Sequence, residues 1–183
     1  MRVFAAFVMA AALSMSGVAR AQDGAWVEPA GRYSLGFEAL GWTATPSVAT
    51  APNIMAFVRN DSPRDDRMRI CFVREELVPN SLGIAQAAAN HILDDWTEAR
   101  ISGVVGRPVS NVRRARVDGV IAIDYTSERD GLAIVARFFM IEANPGVQLV
   151  TISCSAEAPL TDEEAASMSA VHNSLRVLTR SAP

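Results

Sequence analysis

Residues 109–155, VSNVRRARVDGVIAIDYTSERDGLAIVARFFMIEANPGVQLVTISCS, decide the fold of this chain. They divide into four strand-like runs at 109–117, 120–128, 132–142 and 147–155. The links between them are Asp118-Gly119, Arg129-Asp130-Gly131 and Asn144-Pro145-Gly146. Asp-Gly at a two-residue link tolerates the positive φ angles of a tight hairpin, and the other two links place Gly where it is similarly needed. Links this short force antiparallel neighbours, so the block predicts a four-stranded meander. The run 132–142 is apolar on both faces, with Ile134, Ala136, Phe138 and Met140 on one and Val135, Phe139 and Ile141 on the other. Such a strand belongs in a sheet's interior with both faces covered.

Three further strands precede this block. At 32–37, Tyr33, Leu35 and Phe37 alternate onto one face; 54–59 and 68–74 follow, joined by a polar link at 60–66. The Thr, Ala, Ser and Pro content of 43–53 predicts an exposed loop. A helix is expected over 82–100, capped by Asn80 or Ser81, with Ile84, Ala85, Ala88, Ala89, Ile92, Trp96 and Ala99 on one stripe and Trp96 as its largest buried anchor. Gly103, Gly106 and Pro108 end it. A last helix starts at Thr161, where Thr161-Asp162-Glu163-Glu164 is a capping box, and Met168, Val171, Leu175 and Leu178 form its apolar seam. The order β-β-β-α-β-β-β-β-α predicts an α+β fold, a single antiparallel sheet of about seven strands with a helix packed on each face.

The N-terminal end reads as a secretory leader. Arg2 precedes an unbroken apolar run over 3–13, and Ala19-Arg20-Ala21 fits a signal-peptidase site, so cleavage is expected after Ala21. The run is shorter than the roughly 18 to 20 residues that a spanning helix needs, and no second such run follows, so no membrane anchor is expected. Cleavage would leave 22–183 as a single α+β domain in the periplasm or outside the cell. The loss of Arg2 and Arg20 takes the formal charge from −3 to −5. That balance disfavours nucleic acid and anionic lipid as partners. All seventeen basic residues are Arg. With no Lys, Schiff-base chemistry, a P-loop lysine and a catalytic Lys base are excluded.

The candidate sites are few. Cys71 and Cys154 form an even pair in a chain expected to meet an oxidising compartment, which favours a disulfide. Strand parity argues against it: Met68, Ile70 and Phe72 look like the core face of their strand, which turns Cys71 to the other side, while Cys154 shares a face with Val150 and Ile152. A bond and two buried thiols both remain open. A thiol hydrolase built on Cys154 with His91 or His172 lacks an orienting Asn or Asp, and Cys154 sits mid-strand away from any cation. Asp61, Asp65 and Asp66 lack calcium-loop spacing and are interrupted by Arg64 and Arg67, so they read as a solvated turn. Two Cys and two His without close spacing do not make a zinc site, and no metal or cofactor is expected. Arg113, Arg114 and Arg116 form the only basic cluster, either a contact for an acidic partner or the charged protection of an edge strand.

The element order, Tyr33-Ser34-Leu35-Gly36-Phe37 leading to Gly41-Trp42, and a capped last helix ending in Asn173-Ser174-Leu175-Arg176-Val177 together resemble the PsbP-like superfamily. That superfold is shared by the photosystem II extrinsic protein PsbP, the periplasmic protein DcrB and a fungal Ran-binding import factor. Members often carry a Pro between the first strand and the Trp, where this chain has Glu38-Ala39-Leu40. The resemblance implies non-enzymatic binding or assembly with partners that differ among members. The expected function is a soluble accessory protein that binds an envelope protein or a small ligand. The alternative is a small-molecule carrier with a helix–sheet pocket lined by Trp42 or Trp96.

Overall fold

The computed structural model describes residues 25–45, 54–59 and 69–178. The leader, its cleavage site and the Asp61, Asp65, Asp66 turn lie outside these residues. The strands are β1 (Trp26–Val27), β2 (Tyr33–Leu35), β3 (Thr43–Ala44), β4 (Ile54–Arg59), β5 (Arg69–Leu77), β6 (Ser110–Val117), β7 (Val120–Arg129), β8 (Leu132–Glu142), β9 (Val147–Glu157) and β10 (Arg176–Val177). The helices are α1 (Gln86–Asp94), α2 (Glu98–Val105) and α3 (Asp162–Asn173), with a 3-10 turn at Glu38–Leu40. No helix among the described residues is long and apolar enough to cross a membrane.

Seven strands form one antiparallel sheet in the order β3-β4-β5-β9-β8-β7-β6, and β1-β2-β10 form a second, smaller sheet. The meander is there as expected. Its first hairpin closes with Val117 opposite Val120, and Asp118 and Gly119 take φ of 48° and 86°, the double positive turn that Asp-Gly suits. The expected strand at 32–37 does not join the large sheet: its Tyr33–Leu35 part pairs with β1 and β10 instead. The edge place is taken by Thr43–Ala44, from a segment whose composition reads as loop.

The expected single helix is two. The chain breaks at Asp95-Trp96-Thr97, where Trp96 is buried and the Thr97 hydroxyl caps α2 by accepting from the Arg100 amide at 3.3 Å. Helix α2 continues through Gly103 to Val105 and stops at Gly106, left-handed with φ 74°. Neither Asn80 nor Ser81 caps α1. Its N-cap is Ala85, and the Ser81 hydroxyl, buried, accepts from the Val147 amide at 2.9 Å. The α3 capping box forms in both directions: the Glu164 amide donates to Thr161 Oγ1 at 3.2 Å, and the Thr161 amide to Glu164 Oε2 at 2.8 Å.

Two separate cores follow from strand parity. One packs Phe57, Cys71, Val73, Ala122, Phe139, Val150, Ile152 and Cys154 against Met168 and Val171 of α3, against Leu175 just beyond it, and against Tyr33, Leu35, Phe37 and Trp42. Phe37 and Phe57 stack there with centroids 3.6 Å apart. The other packs Ile121, Ile123, Tyr125, Ile134, Phe138 and Met140 against Ala89 and Leu93 of α1, Ile101 of α2 and Trp96 between them. Alternate residues of β8 therefore serve opposite cores, and full burial of each large side chain contributes roughly 1.5–3 kcal/mol.

Candidate functional site

Strands β5, β8 and β9 and the β6–β7 hairpin reach the same end of the large sheet, where the small sheet closes over them. A cleft of about 820 Å³ opens there. Val120 and Ile141 come from the large sheet, Val177 from the small one with Leu178 directly after it, and Asp118-Gly119 and Ala143-Asn144 from the two hairpin turns. Leu178, expected in the α3 seam, is instead 39% exposed beside this opening.

The polar lining holds itself in place. Arg32 donates from Nη2 to Glu28 Oε1 at 2.7 Å and to Glu75 Oε2 at 2.9 Å, from Nε to Glu28 Oε2 at 3.2 Å, and from Nη1 to Gln148. Tyr33 donates its hydroxyl to the other Glu75 oxygen. Burial alone would raise the Glu28 carboxyl, but bonds from Arg32 and from the backbone of residues 30 and 32 hold it below the usual carboxylate range. Burial opposes charge on Arg32 as well, and the two carboxylates outweigh it and raise its pKa. Gln86 ties α1 to the sheet: its Nε2 donates to the Met140 carbonyl at 2.8 Å, and its Oε1 accepts from the Glu142 amide at 2.8 Å. Glu142 Oε2 accepts from the Gln86 amide at 3.3 Å, a carboxylate at the start of a helix whose N-cap offers no side-chain acceptor. Asp118 Oδ2 accepts from the Val177 amide at 2.9 Å and so fixes the small sheet to the hairpin. Among the described residues, the lining contains no Ser, Cys, His or Tyr. What it offers is a braced recess with an apolar floor and carboxylates at its rim.

The residues singled out in the sequence lie elsewhere. Cys71 and Cys154 are directly opposite in the β5–β9 register, with Cα atoms 4.0 Å apart, and they form a disulfide in the α3-side core. The parity reading had the faces of β5 reversed. Arg69, Cys71 and Val73 form the fully buried side, Ile70 and Phe72 are only half-buried, and residues directly opposite in an antiparallel pair must share a face. The bonded sulfur leaves no Cys154 thiol for a hydrolase. Arg113, Arg114 and Arg116 sit on β6, the free edge of the large sheet, but alternation splits them. Arg113 lies opposite Asp124 on the α3 side. Arg114 is on the other side, where it donates to the Trp96 carbonyl and pairs with Asp94 at 3.6 Å. Trp42 and Trp96 are buried in separate cores and neither lines the cleft. His91 is exposed and 3.8 Å from Asp95.

His172 is 3% exposed, and its Nε2 has no hydrogen-bond partner among the described residues. Around it, Arg137 binds Asp124 through Nε at 2.6 Å and Nη2 at 2.8 Å, and also donates to the His172 carbonyl. Burial pushes the His172 imidazole down to about 4; the Asp124 charge pulls the other way and the Arg137 charge adds to the fall. The unfolded chain therefore takes up this proton first as pH drops. Stability from His172 is complete above about pH 6.5 and falls by about 3 kcal/mol as pH descends to about 4. Urea unfolding between pH 7 and 4 measures this slope, and in His172→Leu the slope over that window should flatten. Glu28, held below its ordinary value, adds its own loss only at lower pH. An equally steep decline in the variant would remove His172 as the cause.

No protein family's sequence profile matches the chain, and no curated protein does. Solved structures do. A protein from Bacteroides thetaiotaomicron aligns over 88% of this chain with a TM-score of 0.50 and 9% identity, and this chain spans about half, 51%, of that protein. LpqN, described as involved in cell envelope biogenesis of Mycobacterium tuberculosis, aligns over 76% of this chain and 79% of its own at 12% identity, more loosely, with a TM-score of 0.44. The solution structure of cyanobacterial PsbP (CyanoP) from Synechocystis aligns over 84% of this chain and 91% of its own, with a TM-score of 0.51 and 13% identity. A likeness that spans nearly all of CyanoP makes the fold of this chain PsbP-like.

Proposed function

We propose that this chain is a non-catalytic accessory protein that is exported and holds an envelope protein in the cleft beneath its small sheet. The observation that carries the reading is the state of the cleft's polar groups. Arg32, Gln86, Asp118 and Glu142 are each bonded to the protein's own carboxylates or backbone, and no nucleophile stands among the described residues of the lining. A recess braced in this way loses little conformational freedom when it is filled, which favours recognition. The leader pattern at 1–21 supports the location, and the disulfide fits an oxidising compartment.

Ala30 is exposed at the rim, so Ala30→Trp blocks the cleft without disturbing a core. Residues 22–183 should retain a defined partner from an envelope extract, and the variant should retain roughly tenfold less. Equal retention by both would move the contact off the cleft, and nothing retained by either would end the partner reading. The volume also lies in the roughly 300–1,000 Å³ range of small-molecule sites, which keeps a carrier as the second reading. A metabolite that raises the melting temperature of the natural chain but not of Ala30→Trp would favour it.

A further inference from the structure

We propose that the cleft takes an extended polypeptide segment in which Arg or Lys alternates with aliphatic residues, so that the partner is recognised through a cationic, half-apolar strand. This rests on the partner-binding reading and names the chemistry of the partner.

The charge balance of the lining sets the sign. Arg32 brings one positive charge and is held by two carboxylates, Glu28 and Glu75, so that corner is negative overall. Asp118 and Glu142 add two more carboxylates on the hairpin turn and the β8 end. Each spends one oxygen on a backbone amide, Val177 and Gln86 respectively, and no donor among the described residues reaches the other oxygen. No second cation lines the cleft among the described residues. Carboxylates at the mouth of an apolar recess act through low-dielectric walls and attract cations more strongly than the same charges on a flat surface.

The apolar component excludes a ligand that is charge alone. Val120 and Ile141 are buried at the base of the cleft, and the apolar surface open to a ligand belongs to half-buried Val177, to Leu178, which keeps more than a third of its surface in water, and to exposed Ala30. A bare polyamine would leave that surface uncovered. An extended segment sends alternate side chains to opposite sides. It can lay aliphatic groups on Ala30, Val177 and Leu178 and direct its cations to Asp118 and Glu142.

The probes are fluorescein-labelled decapeptides alternating Arg with Val, and matched ones with Glu in place of Arg. Fluorescence anisotropy at low salt should show binding of the Arg peptide and none of the Glu peptide. Affinity for the Arg peptide should fall as salt is raised. Asp118→Asn with Glu142→Gln keeps both amide acceptors, and Asn tolerates the positive φ at 118. This pair of changes should weaken binding roughly tenfold. Glu128→Gln with Asp130→Asn removes the same charge at the opposite end of the strands and should leave affinity unchanged. Equal weakening by both pairs would reduce the effect to net charge and overturn the proposal. Spermidine that binds as tightly as the peptide overturns it in favour of a small polycation. A chain ending at Leu178 that binds the peptide more than tenfold better would make the protein's own Arg180 segment the occupant, and also overturns it. Failure of the Arg peptide while Ala30→Trp still releases an envelope partner would defeat the cationic chemistry alone and leave the cleft's role standing.

Discussion

Removal of the Cys71–Cys154 bridge lowers the free energy of unfolding by about 4 to 5 kcal/mol, the entropy of closing its loop in the unfolded chain. The cysteines are 83 residues apart, and the loop holds both helices of one core and the three strands on that side of β9. Without the bond, the unfolded chain gains all the separations of β5 from β9 that the bridge forbids, while the folded sheet keeps its register. Two measurements separate the bond from the atoms. Dithiothreitol-reduced protein keeps both sulfurs in the core, so its loss in urea unfolding reports the cross-link. Cys71→Ala with Cys154→Ala adds the loss of two fully buried side chains, and its midpoint should fall further. If reduced and oxidised protein unfold within 1 kcal/mol of each other, the bridge is not holding the two strands in solution.

That bridge also marks where the sequence stops being legible. The meander could be read because its information is local: Asp118-Gly119 sets a hairpin, and the alternation in 132–142 separates the faces. The α3 capping box is local too, complete within four residues. The face of β5 is not. Ile70 and Phe72 outweigh Cys71 and Val73 in apolar bulk, and Arg69 beside them argues for water. Yet Arg69 is buried 3.7 Å from Glu164 of α3, and its burial identifies the core face. A charge whose partner is ninety-five residues away gives no local sign of being paired. The break at Trp96 was hidden for a related reason, since the apolar stripe keeps helical spacing across it. Only the Thr97 cap, legible in isolation, hints at a second start. The cleft is the least local feature. Its lining comes from five separate stretches of chain, and each residue has an ordinary reading in place: Asp118 a turn, Gln86 a helix start, Val177 the end of the last helix.

Arg137→Met should cost about 3 to 5 kcal/mol, since it removes one partner from a buried ion pair and leaves the other uncompensated. Arg137 is only 4% exposed, with apolar residues on either side of it in β8, and all three of its guanidinium nitrogens donate. Two of its nitrogens hold Asp124 on β7, and a third donates to the His172 carbonyl at the end of α3. The contact therefore joins the sheet to the helix that covers it. Met matches the length of the stem and keeps its apolar packing, so the loss falls on Asp124, whose side chain is 29% exposed and has no other cation within ion-pair distance among the described residues. The His172 carbonyl is less vulnerable because the Leu175 amide also donates to it at 3.2 Å. This asymmetry gives the test its second arm. Adding Asp124→Leu to Arg137→Met removes the stranded carboxylate, and the double variant should recover most of the loss, a coupling of about 2 kcal/mol or more in a double-mutant cycle by urea unfolding. If the two losses simply add, Asp124 was not stranded. Arg137 would then matter through its bond to the His172 carbonyl, and the covering helix, not the ion pair, would carry the energy.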